Sequence, residues 1–241
     1  MKVWGITDRG NVRKQNQDVF YHWADDTNAL ALVCDGMGGA RSGNVASAMA
    51  AQCFVEVLSS EAGAVQERMR TALEAANAAV RGRSKRDPDC HGMGTTLVAA
   101  FAKPGEAVVL NVGDSRCYHI SAEGICQVTR DHSLVEQLVE TGHLTREEAR
   151  HHPHKNIITR ALGTEEHVTG DFYQVHLAPG ELLLLCSDGL SNEVPEETML
   201  EICRSVPAEK RCAALLEQAK AAGAHDNVTV VLLEMDPDET H

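Results

Sequence analysis

Leu30-Ala31-Leu32-Val33-Cys34-Asp35-Gly36-Met37-Gly38-Gly39 is the stretch on which the reading of this chain turns. Five apolar residues in a row read as a buried strand. The strand ends on a carboxylate followed by glycines, which lets backbone approach a ligand closely at the rim of a sheet. A tight turn carrying a solvated aspartate would give the same ten residues, since glycine-rich turns are common punctuation.

The pattern recurs. Val108-Val109-Leu110-Asn111-Val112-Gly113-Asp114 and Leu182-Leu183-Leu184-Leu185-Cys186-Ser187-Asp188-Gly189 are apolar runs that end on an aspartate. Asp226-Asn227 stands directly before Val228-Thr229-Val230-Val231-Leu232-Leu233. Four aspartates at the ends of four core strands can be gathered into one site.

Working outward, Val3–Thr7 and Val19–Trp23 read as strands, and the residues between them are polar and include Arg13 and Asp18. Ser42–Leu58 has the spacing of an amphipathic helix with Ser42 as N-cap. A second such helix is expected from about Ala64 to Arg81, followed by a loop to His91. Leu97–Phe101 is a strand, and Cys117–Ile120 and Ile125–Thr129 form a hairpin. Thr145 and Glu148 form a capping box, and Pro195 and Pro207 open helices. Residues 131–163 are charged and poor in large apolar side chains, so they read as a surface excursion beside the site. His151, His152 and His154 lie in it at a spacing that suits no metal site. Strands and helices arrive in groups, which favours α+β over a doubly wound fold.

The 241 residues suit one domain, and 43% hydrophobic content supports a substantial core in which only 4% of residues are aromatic. A net charge of -13 argues against a nucleic-acid binder. The eight cysteines include no Cys-x-x-Cys pair and read as reduced thiols in a cytoplasmic protein. No run approaches membrane-spanning length. There is no P-loop and no Gly-x-Ser-x-Gly elbow. Gly36–Arg41 begins like a dinucleotide fingerprint but has Arg41 at the third glycine position.

Gathered carboxylates repel one another unless counter-charged. A set of oxygen ligands without His or Cys suits Mg²⁺ or Mn²⁺. Two such ions sharing a carboxylate can activate water for attack on a phosphate ester, and Arg13 could clamp the phosphate.

Thr7–Asp18, Asp35-Gly36-Met37-Gly38-Gly39, Gly92-Met93-Gly94-Thr95-Thr96, Gly113-Asp114-Ser115-Arg116, Ser187-Asp188-Gly189 and Asp226-Asn227 occur in one order along the chain. In these motifs the chain resembles the bacterial type 2C, metal-dependent serine/threonine protein phosphatases over essentially its whole length. The resemblance implies a four-layer αββα sandwich across a single catalytic domain, residues 1–241. Two mainly antiparallel central sheets would be flanked by helices, with the metals at one end between the sheets. It implies two or three Mg²⁺ or Mn²⁺ ions, with Asp35 bridging two of them and Gly36 contributing its carbonyl. Asp188 and Asp226 would bind one of that pair, and Asp114 with Asp188 a third ion. Asp18 would hold metal-bound water, Arg13 would grip the phosphate, and residues 131–163 would be the family's flap. The implied reaction is attack of metal-activated water on phosphoserine or phosphothreonine without a phospho-enzyme. The implied partners are phosphorylated proteins and a membrane-anchored bacterial Ser/Thr kinase whose signalling this chain, as a monomer, reverses. Hydrolysis of small phosphate esters, or an inactive phosphoprotein-binding role, are the alternatives. Gln17, Ala40 and Asn44 depart from the family pattern, as does Met37 where animal members carry the His thought to be the general acid. The group that protonates the leaving oxygen is therefore unassigned, with metal-bound water preferred over a flap His.

Overall fold

The strand through Leu30 is apolar from Ala29 to Cys34 because both of its faces are covered there. The computed structural model describes residues 1–38, 42–150 and 152–236. Gly39, Ala40, Arg41 and His151, all named above, lie outside them. Strand β3 (Ala29–Met37) sends Leu30, Leu32 and Cys34 into one core and Ala29, Ala31 and Val33 into another. Side chains alternate across a strand, so a strand buried twice reads as one continuous apolar run.

The same division explains the other central strands. β5 (Leu97–Lys103) puts Leu97, Ala99 and Phe101 on one side and Val98, Ala100 and Ala102 on the other. β10 (Leu182–Cys186) and β11 (Val228–Glu234) do likewise, with Leu184 and Val230 in a third core and Leu185 and Val231 in the shared one. The shared core is rich in Ala and Val, which lets the two sheets pack closely.

The remaining strands are β1 (Lys2–Asp8), β2 (Asp18–Ala24), β4 (Gly94–Thr95), β6 (Gly105–Val112), β7 (Arg116–Ile120), β8 (Ile125–Gln127) and β9 (Asp171–Leu177). One sheet has the order β1-β11-β10-β7-β8 and the other β2-β3-β5-β6-β9, with β4 paired to β3. All pairings are antiparallel among the described residues. Helices α1 (Gly43–Ser60) and α2 (Val65–Arg86) cover the outer face of the β3 sheet through Ala46, Ala50, Phe54, Met69, Leu73 and Val80. Three helices, α5 (Asp188–Ser191), α6 (Glu196–Ser205) and α7 (Ala208–Ala222), cover the other sheet. The architecture is the expected α+β sandwich of helix, sheet, sheet and helix.

Residues 131–163 leave the sheet after β8 and carry α3 (Leu134–Glu140) and α4 (Arg146–Arg150). The excursion is closed at its root by a bridge between Ser133 and Ile158. The capping box forms as expected, with Thr145 N donating to Glu148 Oε2 (2.8 Å) and Glu148 N to Thr145 Oγ1 (3.2 Å).

Two local expectations are corrected. Helix α2 continues to Arg86 rather than ending near Arg81, and Pro88–Cys90 forms a 3-10 turn within the expected loop. Its last turn carries Arg83, Lys85 and Arg86, which complement the helix dipole, and Arg83 reaches Asp87 at 2.7 Å. What stops it is Pro88, which disfavours helical backbone at Asp87. Ser42 precedes α1 but its hydroxyl makes no cap; it turns back to donate to Gly38 O. None of the eight cysteines is in a disulfide.

Candidate functional site

The β2–β3 register sets Asp18 directly opposite Asp35. Their side chains therefore share a face at the end of the β3 sheet, close enough for the charge of Asp18 to raise the pKa of Asp35. Asp188 opens α5 immediately after β10, Asp226 stands just before β11, and Asp114 lies in the turn between β6 and β7. All the acidic residues singled out in the sequence meet at this end of the sandwich. Asp35, Asp114, Asp188 and Asp226 each keep part of their surface open, whereas Asp18 is buried.

Asp18 is held from below. Its Oδ2 accepts from Ser187 Oγ and Thr229 Oγ1, both at 2.7 Å. With its proton committed there, Thr229 accepts from Thr7 Oγ1 (2.7 Å), which accepts from Asn16 Nδ2 (2.8 Å). The other oxygen, Oδ1, is buried and has no protein partner. Asp188 is similar: Oδ2 accepts from Asn192 Nδ2 (3.1 Å), and Oδ1 is buried without a partner.

Asp35 is fixed through its backbone. Its N–H donates to Thr96 Oγ1 (3.0 Å), and its carbonyl accepts from Thr96 N and Thr95 Oγ1, both at 2.9 Å. Gly36 N donates to Gln17 O (3.1 Å), and a Cβ on Gly36 would strike the carbonyls of Gly43 and Gln17. Only glycine fits where β3, the start of α1 and the β1–β2 loop meet.

That loop is anchored by Asn227, whose amide donates to Arg9 O and Gln15 O, both at 2.9 Å, and accepts from Gln17 N at 2.8 Å. Asn227→Ala removes three hydrogen bonds that tie this loop and is expected to lower stability by about 3 kcal/mol, since each is worth roughly 1. Urea denaturation of the metal-free protein measures this, and an unchanged midpoint would remove Asn227 as the anchor.

Arg13 rides on this loop, half-exposed, with Nη2 2.6 Å from Asp226 Oδ2. The contact with Asp226, helped by Asp188 and Asp35, raises its pKa further and keeps it cationic.

The carboxyl groups perturb one another strongly. Burial first, then the charges of Asp18, Asp188, Asp114 and Asp226, raise the pKa of Asp35 well above the usual carboxylate range. Burial followed by Asp114 and Asp226 does the same to Asp188. Burial pushes Asp18 up to about 6 against the hydrogen bonds from Ser187 and Thr229. Burial and Asp131 push Asp114 up to about 7. Besides Arg13, the half-buried Arg116 opposes this crowding. Arg116 holds Asp131 through Nε at 3.0 Å to each oxygen and Nη2 at 2.7 Å, and lowers the pKa of both Asp114 and Asp188.

Among the described residues no three carboxylate, imidazole or thiol side chains close into a ready-made ligand cage. The donor set still fits hydrated Mg²⁺ or Mn²⁺, which keep several waters and take one or two carboxylates each. Two buried carboxylate oxygens without partners and four mutually repelling aspartates are what such cations would satisfy. Beyond Asp114 and Asp188 a groove of about 1000 Å³ runs under residues 131–163 and along the start of α6.

Several contributors were not singled out in the sequence: Asn192, Thr229, and the buried His132 with its partners Asp171 and Arg160. Each acts through tertiary hydrogen bonds that have no local spacing to read. Met37 is half-buried on β3 and Asn44 exposed on α1. His152 and His154 face each other in the excursion at 5.5 Å between ring centroids, their planes tilted by 57°.

The family description Protein phosphatase 2C matches residues 10–232. The serine/threonine phosphatase Stp of Listeria monocytogenes is 39% identical over 239 residues, covering 95% of this chain and 94% of that protein. The protein phosphatase PhpP of Streptococcus pneumoniae is 36% identical over 245 residues, 99% of each chain. A crystal structure of the catalytic domain of the phosphatase PstP with two manganese ions superposes with a TM-score of 0.87 at 34% identity, covering 98% of each chain.

Proposed function

From the premise that this chain belongs to the protein phosphatase 2C family, we propose that its gathered aspartates are the catalytic centre of a metal-dependent serine/threonine protein phosphatase. The observation that carries this reading is the set of crowded, mutually repelling carboxylates with two buried, partnerless oxygens at the end of the sandwich. Asp35, with the carbonyl of Gly36, would hold two Mg²⁺ or Mn²⁺ ions between them. Asp188 and Asp226 would complete one of these sites, and Asp114 with Asp188 would hold a third ion. When bound, the cations supply charge neutralisation for the phosphate and a water acidic enough to act as nucleophile near neutral pH.

The protein's own groups do the rest. Asp18, fixed by Ser187 and Thr229, presents Oδ1 as an acceptor that orients a water beside Asp35. Arg13 is exposed enough to turn from Asp226 toward an incoming phosphate, and its planar fork matches two phosphate oxygens. The groove beside Asp114 and Asp188 gives the substrate's polypeptide a path away from the phosphorylated side chain.

Arg13→Ala is expected to raise KM for a phosphopeptide by about 10- to 100-fold, the worth of a charge-assisted pair, with a smaller change in kcat. Steady-state kinetics check it, and an unchanged KM would take Arg13 out of the phosphate site.

The alternative of a small-ester hydrolase uses the same centre. Metal-dependent release of phosphate from a phosphothreonine peptide, with Asp188→Asn as control and free nucleotides as competitors, decides between them. Faster turnover of the peptide supports the protein phosphatase, and faster turnover of nucleotides overturns it.

The three stacked cores joined through two sheets support reading residues 1–241 as one catalytic domain. We assign the chain, as a monomer, to cytoplasmic signalling opposite a serine/threonine kinase on shared phosphoproteins. The named phosphatase activities of its relatives support the phosphoprotein part of this assignment, and among the described residues no helix is long and apolar enough to cross a membrane.

A further inference from the structure

A carboxylate serves a cation only if the backbone beneath it is held still. Asp114 lies in a turn outside the sheet ladders, directly after Gly113, whose φ of 108° belongs to the left-handed region. One tie to this turn is Ser115 Oγ, which shares a 2.7 Å hydrogen bond with Thr96 Oγ1, the same hydroxyl that accepts from Asp35 N.

The second tie is His132, a buried imidazole that no step above uses. Its backbone N–H donates to Gly113 O at 2.9 Å, and its ring Nδ1 accepts from Gly113 N at 3.0 Å. One residue thus takes both polar groups of Gly113. Because Nδ1 accepts, the ring proton is on Nε2, which faces Asp171 Oδ2 at 3.1 Å. Arg160 Nη1 bonds Asp171 Oδ1 at 2.9 Å and Thr169 O at 3.0 Å, which fixes that carboxylate. Arg160 Nη1 also lies 3.1 Å from the same Nε2. Both are donors in this tautomer, so their contact is made around the carboxylate they share. A carboxylate that sets the tautomer and plane of an imidazole is a familiar way to hold a metal centre in place. Burial also keeps this imidazole neutral by lowering its pKa.

We propose that His132 is a positioning residue for Asp114. Its imidazole, kept in the Nε2–H form by Asp171, grips the Gly113 amide and so sets the angle at which the Asp114 carboxylate faces Asp188. The inference rests on the reading of Asp114 as a cation ligand.

Two measurements on His132→Ala, His132→Asn and Asp114→Asn test it: Mn²⁺ titration followed by electron paramagnetic resonance, and amide exchange of Gly113 in the metal-free protein. His132→Ala is expected to speed Gly113 exchange and to weaken the Asp114-dependent Mn²⁺ site by about 10- to 100-fold, as loss of an outer partner does elsewhere. His132→Asn, whose amide oxygen can accept where Nδ1 did, is expected to recover most of both. Asp114→Asn weakening Mn²⁺ while His132→Ala leaves binding and exchange unchanged would overturn the inference alone. Asp114→Asn without effect on Mn²⁺ would overturn the ligand reading beneath it. Should His132→Ala fail to fold, His132→Asn decides. A His132→Asn protein that regains protection of the Gly113 amide but not Mn²⁺ affinity overturns the positioning role.

Discussion

Asp35→Asn is expected to lower kcat by about three orders of magnitude or more and, in the metal-free protein, to raise the melting temperature. The catalytic loss follows from its place. It is the carboxylate whose charge is felt together with those of Asp18, Asp188, Asp114 and Asp226. Charge stabilisation by a bound cation is worth several kcal/mol, and each 1.36 kcal/mol is tenfold in rate. The gain in stability has the same origin. Without cations, Asp35 must either carry a charge that its neighbours repel or take up a proton well above its usual pKa, and a neutral amide of the same shape removes that cost. Its backbone ties to Thr95 and Thr96 are untouched by the change. Scanning calorimetry in chelator with phosphate-release kinetics measures both effects. Retained activity would end the bridging role, and a lower metal-free melting temperature would contradict the electrostatic account.

The second large effect is an opposite pH dependence with and without metal. Asp18 is raised from 3.8 to about 6, and Asp114 from 3.8 to about 7. Between the unfolded and folded values the native state binds more protons than the unfolded chain, so stability falls as pH rises. The metal-free protein is therefore expected to be more stable near pH 5 than at pH 8. Saturating Mn²⁺ needs the deprotonated ligands, so its stabilisation is full above pH 7 and is lost toward pH 5. At one hundred times the dissociation constant it amounts to about 2.7 kcal/mol, or roughly 5–10 °C in melting temperature for a chain of this size. Melting curves in chelator and in Mn²⁺ at the two pH values check this. A metal-free protein that is more stable at pH 8 would show that the carboxylates do not burden one another.

The catalytic end of the molecule was legible because its signals are local. Each of Asp35, Asp114 and Asp188 is announced by the apolar run before it, and Asp226 by the run after it. The continuous hydrophobicity of β3, β10 and β11 followed from two covered faces, a property written into consecutive residues. The end of α2 was missed because the apolar stripe stops at Val80, while the helix is carried on by buried Ser84 and a basic last turn. Pro88 was the better marker. Ser42 has the right residue type for a cap, yet the loop before it offers Gly38 O as a competing acceptor. His132, Asp171 and Arg160 had no local pattern, since their relation to Gly113 exists only once β6 and the root of the 131–163 excursion pack together.

Divalent cations gathering at these aspartates are the centre of the proposed chemistry. Anomalous diffraction from a crystal grown with Mn²⁺ tests it directly. Peaks within coordination distance of Asp35, with Asp188 and Asp226 on one of them, are the expected result. Manganese bound elsewhere with none beside Asp35 would contradict it.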